Sequence, residues 1–244
     1  MRHALWASAL AALSMAACSQ QPAQDAGKAD TVTAPAATAA PVAKAPVNEA
    51  PPGAYKLDRD HASLTFRVNH MGLSRYTARF TDMSADLQFD PANPSAMTLS
   101  ATVDPRSIET DFHGDKPDFD AELAGPSWLD AAKFPQITFK STKVEVTGPA
   151  TANVTGDLTL HGVTRPVMLR TTFNGGAKAN SMDPLGSRIG FSAEGSLKRS
   201  EFGVAYGIPA PGSNFGVGDE VEFFIEAEFT QPAATPAAPA APVQ

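Results

Sequence analysis

The chain has 244 residues, of which 43% are hydrophobic and 18% are charged, and its formal net charge at pH 7 is -7. Acidic and basic residues are interspersed and form no basic cluster, which argues against nucleic acid and anionic membrane surfaces as electrostatic partners. A single cysteine excludes an intramolecular disulfide, and the Ala-rich and Pro-rich ends show that the folding unit is shorter than the chain.

Residues 1–18 have the pattern of a bacterial export signal. A short positive start precedes an apolar run at residues 5–13, and mostly small residues lead to Cys18. This segment is too short to span a bilayer as a stable helix. The residues before Cys18 resemble the cleavage box of lipoproteins, in which the cysteine becomes the acylated first residue. Because Met15 departs from the leucine usual in that box, ordinary cleavage at the preceding alanines is the alternative.

The residues that follow predict the location and the limits of the domain. Ser19 stands where an aspartate commonly marks retention in the inner membrane, so we expect a periplasmic protein lipid-anchored to the outer membrane. Residues 19–52 lack hydrophobic periodicity and predict a disordered Ala/Pro-rich tether. Residues 231–244 repeat this composition and predict a disordered tail, which leaves residues 53–230 as the folded domain.

Hydrophobic and polar residues alternate along most of residues 53–230, which is the period of half-buried β-strands. The alternation is clear in residues 64–70 and again in residues 221–229. About eight such strands predict an all-β fold, a closed antiparallel barrel, because closure removes exposed strand edges. The alternation stops at residues 117–134, where acidic starts and apolar residues predict two short helical turns that close or gate one barrel end.

Residues 156–167 predict a tight β-hairpin. Leu158 and Leu160 alternate with polar residues, and His161 and Gly162 supply a turn in which the glycine is free to take a positive φ. In order and spacing this hairpin resembles the signature of the YceI-like, lipocalin-type polyisoprenoid-binding family.

The resemblance covers nearly everything between the two low-complexity ends. It is carried further by Asp58 to Ser63 with Phe66 and His70 to Gly72, by Lys198 to Gly203, and by Val217 to Val221. It implies an eight-stranded lipocalin-like barrel that carries long apolar chains. Glu201 stands where the family's pattern has an aspartate.

An eight-stranded barrel either fills with its own side chains or holds one slender ligand, and the residues alone leave both possibilities open. The resemblance implies the second, with a polyisoprenoid or similar long-chain lipid, including an isoprenoid quinone, as the ligand. The expected apolar lining consists of Phe66, Val68, Phe80, Phe89, Leu99, Phe139, Leu158, Phe191, Phe223 and Ile225.

Four further residues are candidates for contacts at a cavity mouth. His70 lies on the apolar face of its strand, as a core histidine or as a head-group contact. Arg199 either pairs with Glu201 to fix a loop or donates to a quinone or phosphate oxygen. Phe202 and Phe215 are the aromatic residues of the glycine-rich stretch that follows.

The residue patterns do not favour catalysis or metal binding. The histidines lack the close spacing of helical zinc sites, no Gly-x-Ser-x-Gly elbow occurs, and His61 is interpreted as a turn residue bonded to backbone. We expect a non-catalytic protein without metal or cofactor apart from its lipid, with the membrane as partner through the anchor; a homodimer is left open. The alternative is a filled barrel that acts as an interaction module for a membrane redox or envelope protein.

Overall fold

The computed structural model describes residues 45–114, 116–182 and 186–232. The predicted export signal, the predicted lipidation site at Cys18, most of the predicted tether and nearly all of the predicted tail lie outside the described residues. Within the described ranges, no helix combines the length and the apolar character that a membrane crossing requires.

Strands dominate the described ranges. They are β1 (Gly53–His70), β2 (Ser74–Phe80), β3 (Met83–Phe89), β4 (Thr98–Val103), β5 (Ile108–Thr110), β6 (Ile137–Val146), β7 (Thr151–Leu160), β8 (Val163–Ala177), β9 (Gly186–Lys198) and β10 (Val217–Pro232). The helical elements are α1 (Phe119–Ala124) and 3-10 helices at Pro94–Ala96, Pro105–Ser107 and Arg199–Phe202.

The sheet closes at β1, which pairs antiparallel with β10 on one edge and with β2 and β3 on the other. β2 and β3 follow each other along that edge and are separated by residues 81–82 only, so they act as one barrel strand. β4 and β5 form a second such pair, because β4 pairs with β3 and β5 pairs with β2. The predicted closed eight-stranded antiparallel barrel is thus confirmed.

Because successive strands run in opposite directions, their connections collect at two ends of the barrel. The upper end holds residues 71–73, 111–114, 116–136, 161–162 and 199–216. The lower end holds residues 45–52, 90–97 and 147–150, and β10 also finishes there. The first and the last described residues therefore lie at the same end.

The hairpin predicted at residues 156–167 is confirmed by the pairing of β7 with β8. His161 and Gly162 have φ angles of 52° and 76°, as a two-residue turn between twisted strands requires. A Cβ atom on Gly162 would lie 2.4 Å from a ring carbon of Phe134, so only glycine fits there without rearrangement. His161 Nδ1 lies 3.2 Å from the Phe202 carbonyl oxygen, which ties the hairpin to the nearby 3-10 helix.

Alternation along the strands places apolar side chains inside the barrel and charged side chains outside. In the lower half, Tyr55, Phe89 and Ile189 belong to a cluster of buried residues that forms the main core. On the outside, ion pairs such as that of Arg170 with Glu194 link neighbouring strands but are exposed, and such pairs contribute little to stability. Interior packing and the closed ladder of hydrogen bonds therefore hold the barrel together.

The packed unit begins earlier than the predicted boundary at residue 53. Ala50 is buried in the main core cluster, and Asn48 forms an isolated bridge with Gly176 of β8. Burial of one apolar side chain and pairing of the backbone fix this short segment against the barrel. It is the described part of the predicted tether.

The insertion at residues 117–134 contains one helix where two helical turns were predicted. Asp118 caps α1 by accepting a hydrogen bond from the Ala121 backbone N–H, as its acidic start suggests. Residues 126–129 and 131–133 form turns instead of a second helical segment. Asp130 has a φ of 45°, and this left-handed conformation interrupts any right-handed helix at that point.

Candidate functional site

The upper half of the barrel encloses a cavity of about 610 Å³. Its wall is made of inward-facing side chains from all strands except β3, and Phe119, Leu123, Trp128 and Leu129 of the insertion complete it. The volume falls within the range of pockets that hold drug-sized ligands. The barrel interior is therefore not filled by its own side chains.

A second cavity of about 340 Å³ lies in the lower half of the barrel. Leu99, Leu169 and Ile225 line both cavities, so the two adjoin along the barrel. Residues of the two lower-end loops form its margin, together with Pro46 from the segment before β1. An elongated interior of this kind suits a slender guest better than a compact one.

Most of the residues predicted to line the barrel are found on these walls. The larger cavity is lined by Phe66, Val68, His70, Phe80, Leu99, Phe139, Leu158, Arg199, Phe223 and Ile225. The smaller cavity is lined by Phe89 and Phe191, together with Leu99 and Ile225. Period-two alternation locates the strand residues because every second residue of a barrel strand faces inward.

Phe202 and Phe215 lie on neither wall. Phe202 is 1% exposed and packs with Leu160 and Val167 in a separate buried cluster. Phe215 is 78% exposed, so its ring does not reach into the cavity mouth. Both residues lie after the end of β9, in a segment where apolar and polar residues do not alternate. The sequence there therefore does not indicate which way their side chains face.

Two glycines make room for phenylalanine rings on the wall of the larger cavity. A Cβ on Gly156 would lie 2.3 Å from the Cζ of Phe139. A Cβ on Gly195 would lie 2.6 Å from the Cζ of Phe223. Each ring thus occupies a recess left by a missing side chain on the neighbouring strand. Because the rings lie against the wall, they leave the space in front of them open.

The polar side chains of the larger cavity are confined to its upper end. His70 ends β1, Tyr76 lies near the start of β2, Trp128 belongs to the insertion and Arg199 follows β9. All other residues on this wall are aliphatic or phenylalanine. An amphiphilic molecule in this cavity therefore meets polar partners at one end only.

Arg199 holds the loop at the upper end and does not form the predicted pair with Glu201, which is exposed. The Arg199 side chain is 5% exposed, and burial lowers its pKa, with a smaller opposing effect of Asp219. Its guanidinium donates hydrogen bonds of 2.7–2.9 Å to the backbone carbonyls of Val204, Tyr206, Val217 and Gly218. The carbonyls take the hydrogen bonds that the carboxylate was expected to accept.

Aromatic side chains form the upper wall. The ring of Phe119 in α1 lies edge-on to Tyr76 at 6.2 Å between centroids. The Trp128 ring lies edge-on to Tyr206 at 5.3 Å, and the Arg199 guanidinium carbon lies 5.2 Å from the Trp128 ring centre. These contacts place the insertion across the end that it was predicted to close or gate.

Sequence reasoning did not select Tyr76 and Trp128 as wall residues. For Tyr76 a signal existed, because it alternates with Ala78 and Phe80 on the inward face of β2. Trp128 lies in turns, where no period shows which way a side chain faces. Its apolar surface predicted burial, but not burial against this cavity.

A polar cluster on the outside of the barrel lies where the pairing of β1 with β10 shifts register, between residues 57 and 62. His61 Nδ1 lies 3.0 Å from the Asp58 carboxylate, so His61 bonds a side chain and not the backbone as predicted. Ligand atoms of Asp58, His61 and Glu228 lie within 4.8 Å of one another, close enough to hold a cation. Arg188 donates to both carboxylates and already supplies a positive charge there.

Comparison with known proteins gives consistent matches. The model of the YceI-like domain matches residues 55–229. The UPF0312 protein PputW619_0484 of Pseudomonas putida (strain W619) is 39% identical over 153 residues, which cover 62% of this chain and 76% of that protein.

Solved structures show the same relationship. Burkholderia cenocepacia BcnA is 27% identical with a TM-score of 0.58, over 70% of this chain and 98% of that chain. A polyisoprenoid binding domain from Saccharophagus degradans, implicated in plant cell wall breakdown, shares the fold at 13% identity and a TM-score of 0.54, over 73% of this chain and 98% of that chain. Because the matched domain extends over most of the barrel and more than half of the sequence, the chain belongs to the YceI-like domain family.

Proposed function

We propose that this protein binds a polyisoprenoid or similar long-chain lipid inside its barrel and carries it without catalysing a reaction. The observation that carries the proposal is the pair of adjoining cavities of about 610 and 340 Å³. Together they form an elongated, mostly apolar space. The larger cavity has polar side chains at its upper end, and the wall of the smaller cavity includes Asn48, Ser141 and three threonines. An isoprenoid chain, including the tail of a quinone, has the matching shape and polarity.

The energetics favour exchange of such a chain with a membrane. Each CH₂-sized group removed from water contributes about 0.8 kcal/mol, so a five-carbon isoprene unit contributes about 4 kcal/mol. A long chain taken from water would exceed the ceiling of about 18–21 kcal/mol for noncovalent binding. Chains in a bilayer are already shielded from water, so their transfer into an equally apolar cavity is closer to balanced. Such a cavity takes up and releases its guest.

Two further observations support this function. The Saccharophagus degradans domain with the same fold is named for polyisoprenoid binding. Among the residues that the structure describes, the wall of the larger cavity contains no carboxylate, thiol, serine or threonine side chain. A nucleophile or a general base of those types is thus absent from the described wall of the larger cavity.

We also propose an exported lipoprotein, anchored to the outer membrane through Cys18 on the periplasmic side. The sequence pattern of residues 1–18 and the serine after the cysteine support this location. Replacing the thiol in Cys18→Ser should move the protein from the membrane fraction to the soluble periplasmic fraction. Native protein that is soluble with an unmodified Cys18 would disprove the anchor without affecting the ligand.

The test of the ligand is organic extraction of the protein purified from its own cells, followed by mass spectrometry. A carrier should release close to one lipid per protein, with masses that form an isoprenoid series. The competing function is an interaction module for an envelope or membrane redox protein. Lipid-free protein that also takes up none from vesicles, but copurifies with one stoichiometric partner, would favour that module.

A further inference from the structure

Exposed aromatic side chains gather at the upper end of the barrel. In the described part of the chain, the exposed phenylalanine and tyrosine residues are Phe112, Tyr206 and Phe215, and all three belong to upper-end connections. Leu73, in the connection between β1 and β2, is 84% exposed. These four residues are called the rim patch. Single exposed apolar residues are common on soluble proteins, whereas a group of them marks a surface that meets a partner.

The loops that carry Leu73 and Phe215 lie side by side. The backbone N–H of Met71 donates a hydrogen bond of 2.8 Å to the carbonyl oxygen of Gly216. Leu73 lies two residues after the donor, and Phe215 immediately precedes the acceptor. The two most exposed residues of the rim patch are therefore held next to each other by the backbone.

The longer of the two loops is closed on itself and carries a third residue of the patch. The backbone N–H of Val217 donates a hydrogen bond of 2.8 Å to the carbonyl oxygen of Gly207. This contact brings the segment after Tyr206 against the segment after Phe215. Arg199 also binds carbonyls at both ends of this loop. The aromatic residues are thus presented by a backbone that is fixed at several points.

The loops of the rim patch carry no charge. Residues 202–218 contain no Asp, Glu, Lys or Arg, and neither do residues 68–74, although 18% of the whole chain is charged. A partner held by ionic contacts does not fit such a surface. The net charge of -7 also repels the protein from an anionic membrane. Exposed aromatic and aliphatic side chains without charge fit the interface of a zwitterionic bilayer, where tyrosine is favoured and apolar groups leave water.

The rim patch continues into the wall of the larger cavity. Phe112 is exposed and also lines this wall, and its ring lies 5.3 Å from that of Phe119 on the same wall. Tyr206 lies edge-on to Trp128, another wall residue. A guest that enters from a bilayer along this surface stays in contact with apolar side chains. A path through water would cost about 4 kcal/mol for each exposed isoprene unit.

The chain is long enough for the upper end to reach the membrane that holds the proposed anchor. The described chain begins at residue 45 at the lower end, and residues 19–44 separate it from Cys18. Fully extended, that separation is at most about 90 Å. The longest strand, β1, has 18 residues and a length of about 60 Å. Attachment near the lower end therefore does not keep the rim patch from the same membrane.

We propose that Leu73, Phe112, Tyr206 and Phe215 form a docking surface that inserts into the interface of a zwitterionic lipid bilayer and brings the larger cavity to the membrane. The inference rests on the proposed lipid-binding function and adds the partner from which the guest is taken up. Because the surface is uncharged, docking should need no anionic lipid and should persist at high salt.

The test is quenching of tryptophan fluorescence by brominated lipids in phosphatidylcholine vesicles that carry the full chain. Phe215→Trp places an indole in the rim patch, and Met168→Trp places one at an exposed, outward-facing position of β8. The native chain gives the background signal. Docking should quench the added indole of Phe215→Trp and leave that of Met168→Trp unchanged.

A second substitution tests whether the patch itself causes the docking. Leu73→Asp in the Phe215→Trp chain should lower the docking equilibrium at least about 10- to 150-fold, as expected when one buried leucine is lost, and quenching should fall accordingly. Met168→Asp in the same chain is the matched control and should leave quenching unchanged. Equal quenching of Phe215→Trp and Met168→Trp, or quenching of neither, would overturn the docking surface.

Two further measurements separate the alternatives. A blue shift of the Phe215→Trp emission that appears without vesicles and grows with protein concentration would overturn bilayer docking and assign the patch to a second copy of the chain. Organic extraction of the same purified chain, before it meets the vesicles, reports on the proposed function. Docking by a chain that neither contains nor takes up an isoprenoid would overturn that function alone, and retained isoprenoid without docking would overturn the docking surface alone.

Discussion

The guanidinium of Arg199 lies 5.2 Å from the centre of the Trp128 ring, and its N–H groups bind carbonyls near the start of the loop at residues 203–216 and just after its end. One side chain thus joins the cavity wall to the backbone of the upper-end loop. Arginine suits this role better than lysine, because its planar fork presents donors in several directions at once. Any role in ligand binding is therefore added to a structural one.

Replacement of Arg199 should destabilise the protein before it reports on ligand binding. Arg199→Met keeps an unbranched side chain but leaves buried carbonyl oxygens unsatisfied, so we expect a loss of about 2–4 kcal/mol in the free energy of unfolding. Lys198→Met, at the exposed neighbouring position, should cost little. Urea unfolding of the two variants checks this, and equal midpoints would contradict an anchoring role for Arg199.

Gly195 should be required for an open cavity. In Gly195→Ala the new methyl group would lie 2.6 Å from the Phe223 ring, which must then move toward the lumen. We expect a loss of stability of about 1–3 kcal/mol and less retained lipid. On the same strand, a Cβ on Gly190 meets only Asn174 at 3.6 Å, so Gly190→Ala should be close to neutral. Lipid content per protein and urea unfolding are the measurements, and unchanged lipid content in Gly195→Ala would contradict the recess.

The alternation of apolar and polar residues predicted the strands and most of the cavity wall. In a barrel strand with one apolar face, this alternation shows which side chains point inward. Phe66 and Phe223 were identified in this way. The same reasoning could not place Phe215 or Trp128, which lie outside the strands. Their orientation depends on loops that pack against distant parts of the chain.

The partners of Arg199 were beyond prediction for a related reason. Glu201 is near in sequence and carries the opposite charge, whereas the actual acceptors are uncharged carbonyls that extend to Gly218. The recess at Gly195 was equally hidden, since it depends on which residue of β10 lies opposite it in the barrel register. Both features depend on strand pairing and on the path of the loops. The pattern of residues within a short stretch of sequence does not specify either.

Asp58 should make the stability of the barrel depend on pH in the acid range. The hydrogen bond from Arg188 is the main reason that the pKa of Asp58 lies below its ordinary value of 3.8, and His61 adds to it. A lowered pKa means that the native state favours the ionised carboxylate, so the stabilisation is present above pH 3.8 and is lost as the pH falls through the folded pKa.

The variant Asp58→Asn tests this dependence. It should cost about 1–3 kcal/mol at neutral pH, since hydrogen bonds to a charged group are lost. The difference from the native protein should shrink as the pH falls below 3.8, because native Asp58 becomes protonated as the pH passes through its lowered pKa. Asp86→Asn, in an exposed pair with Lys56, is the control and should show only a small difference at any pH. If the native protein and Asp58→Asn differed by the same free energy of unfolding at neutral pH and at the lowest pH measured, the assignment to Asp58 would be refuted.

Leu169 should set how far a bound chain extends, because it lines the wall where the two cavities adjoin. Leu169→Trp adds bulk at that position and should block the passage of the tail toward the lower end, so retained lipids should shift to shorter chains at an unchanged ratio of lipid to protein. Met168 is the preceding residue, faces outward and is 44% exposed, which makes Met168→Trp a matched control.

Leu169→Trp is expected to lose about 1–3 kcal/mol of stability through overpacking, so chain lengths are compared after confirming that both variants are folded. Mass spectrometry of lipids taken up from a mixture of chain lengths gives the answer, and identical length distributions for the two variants would show that the smaller cavity does not hold the tail.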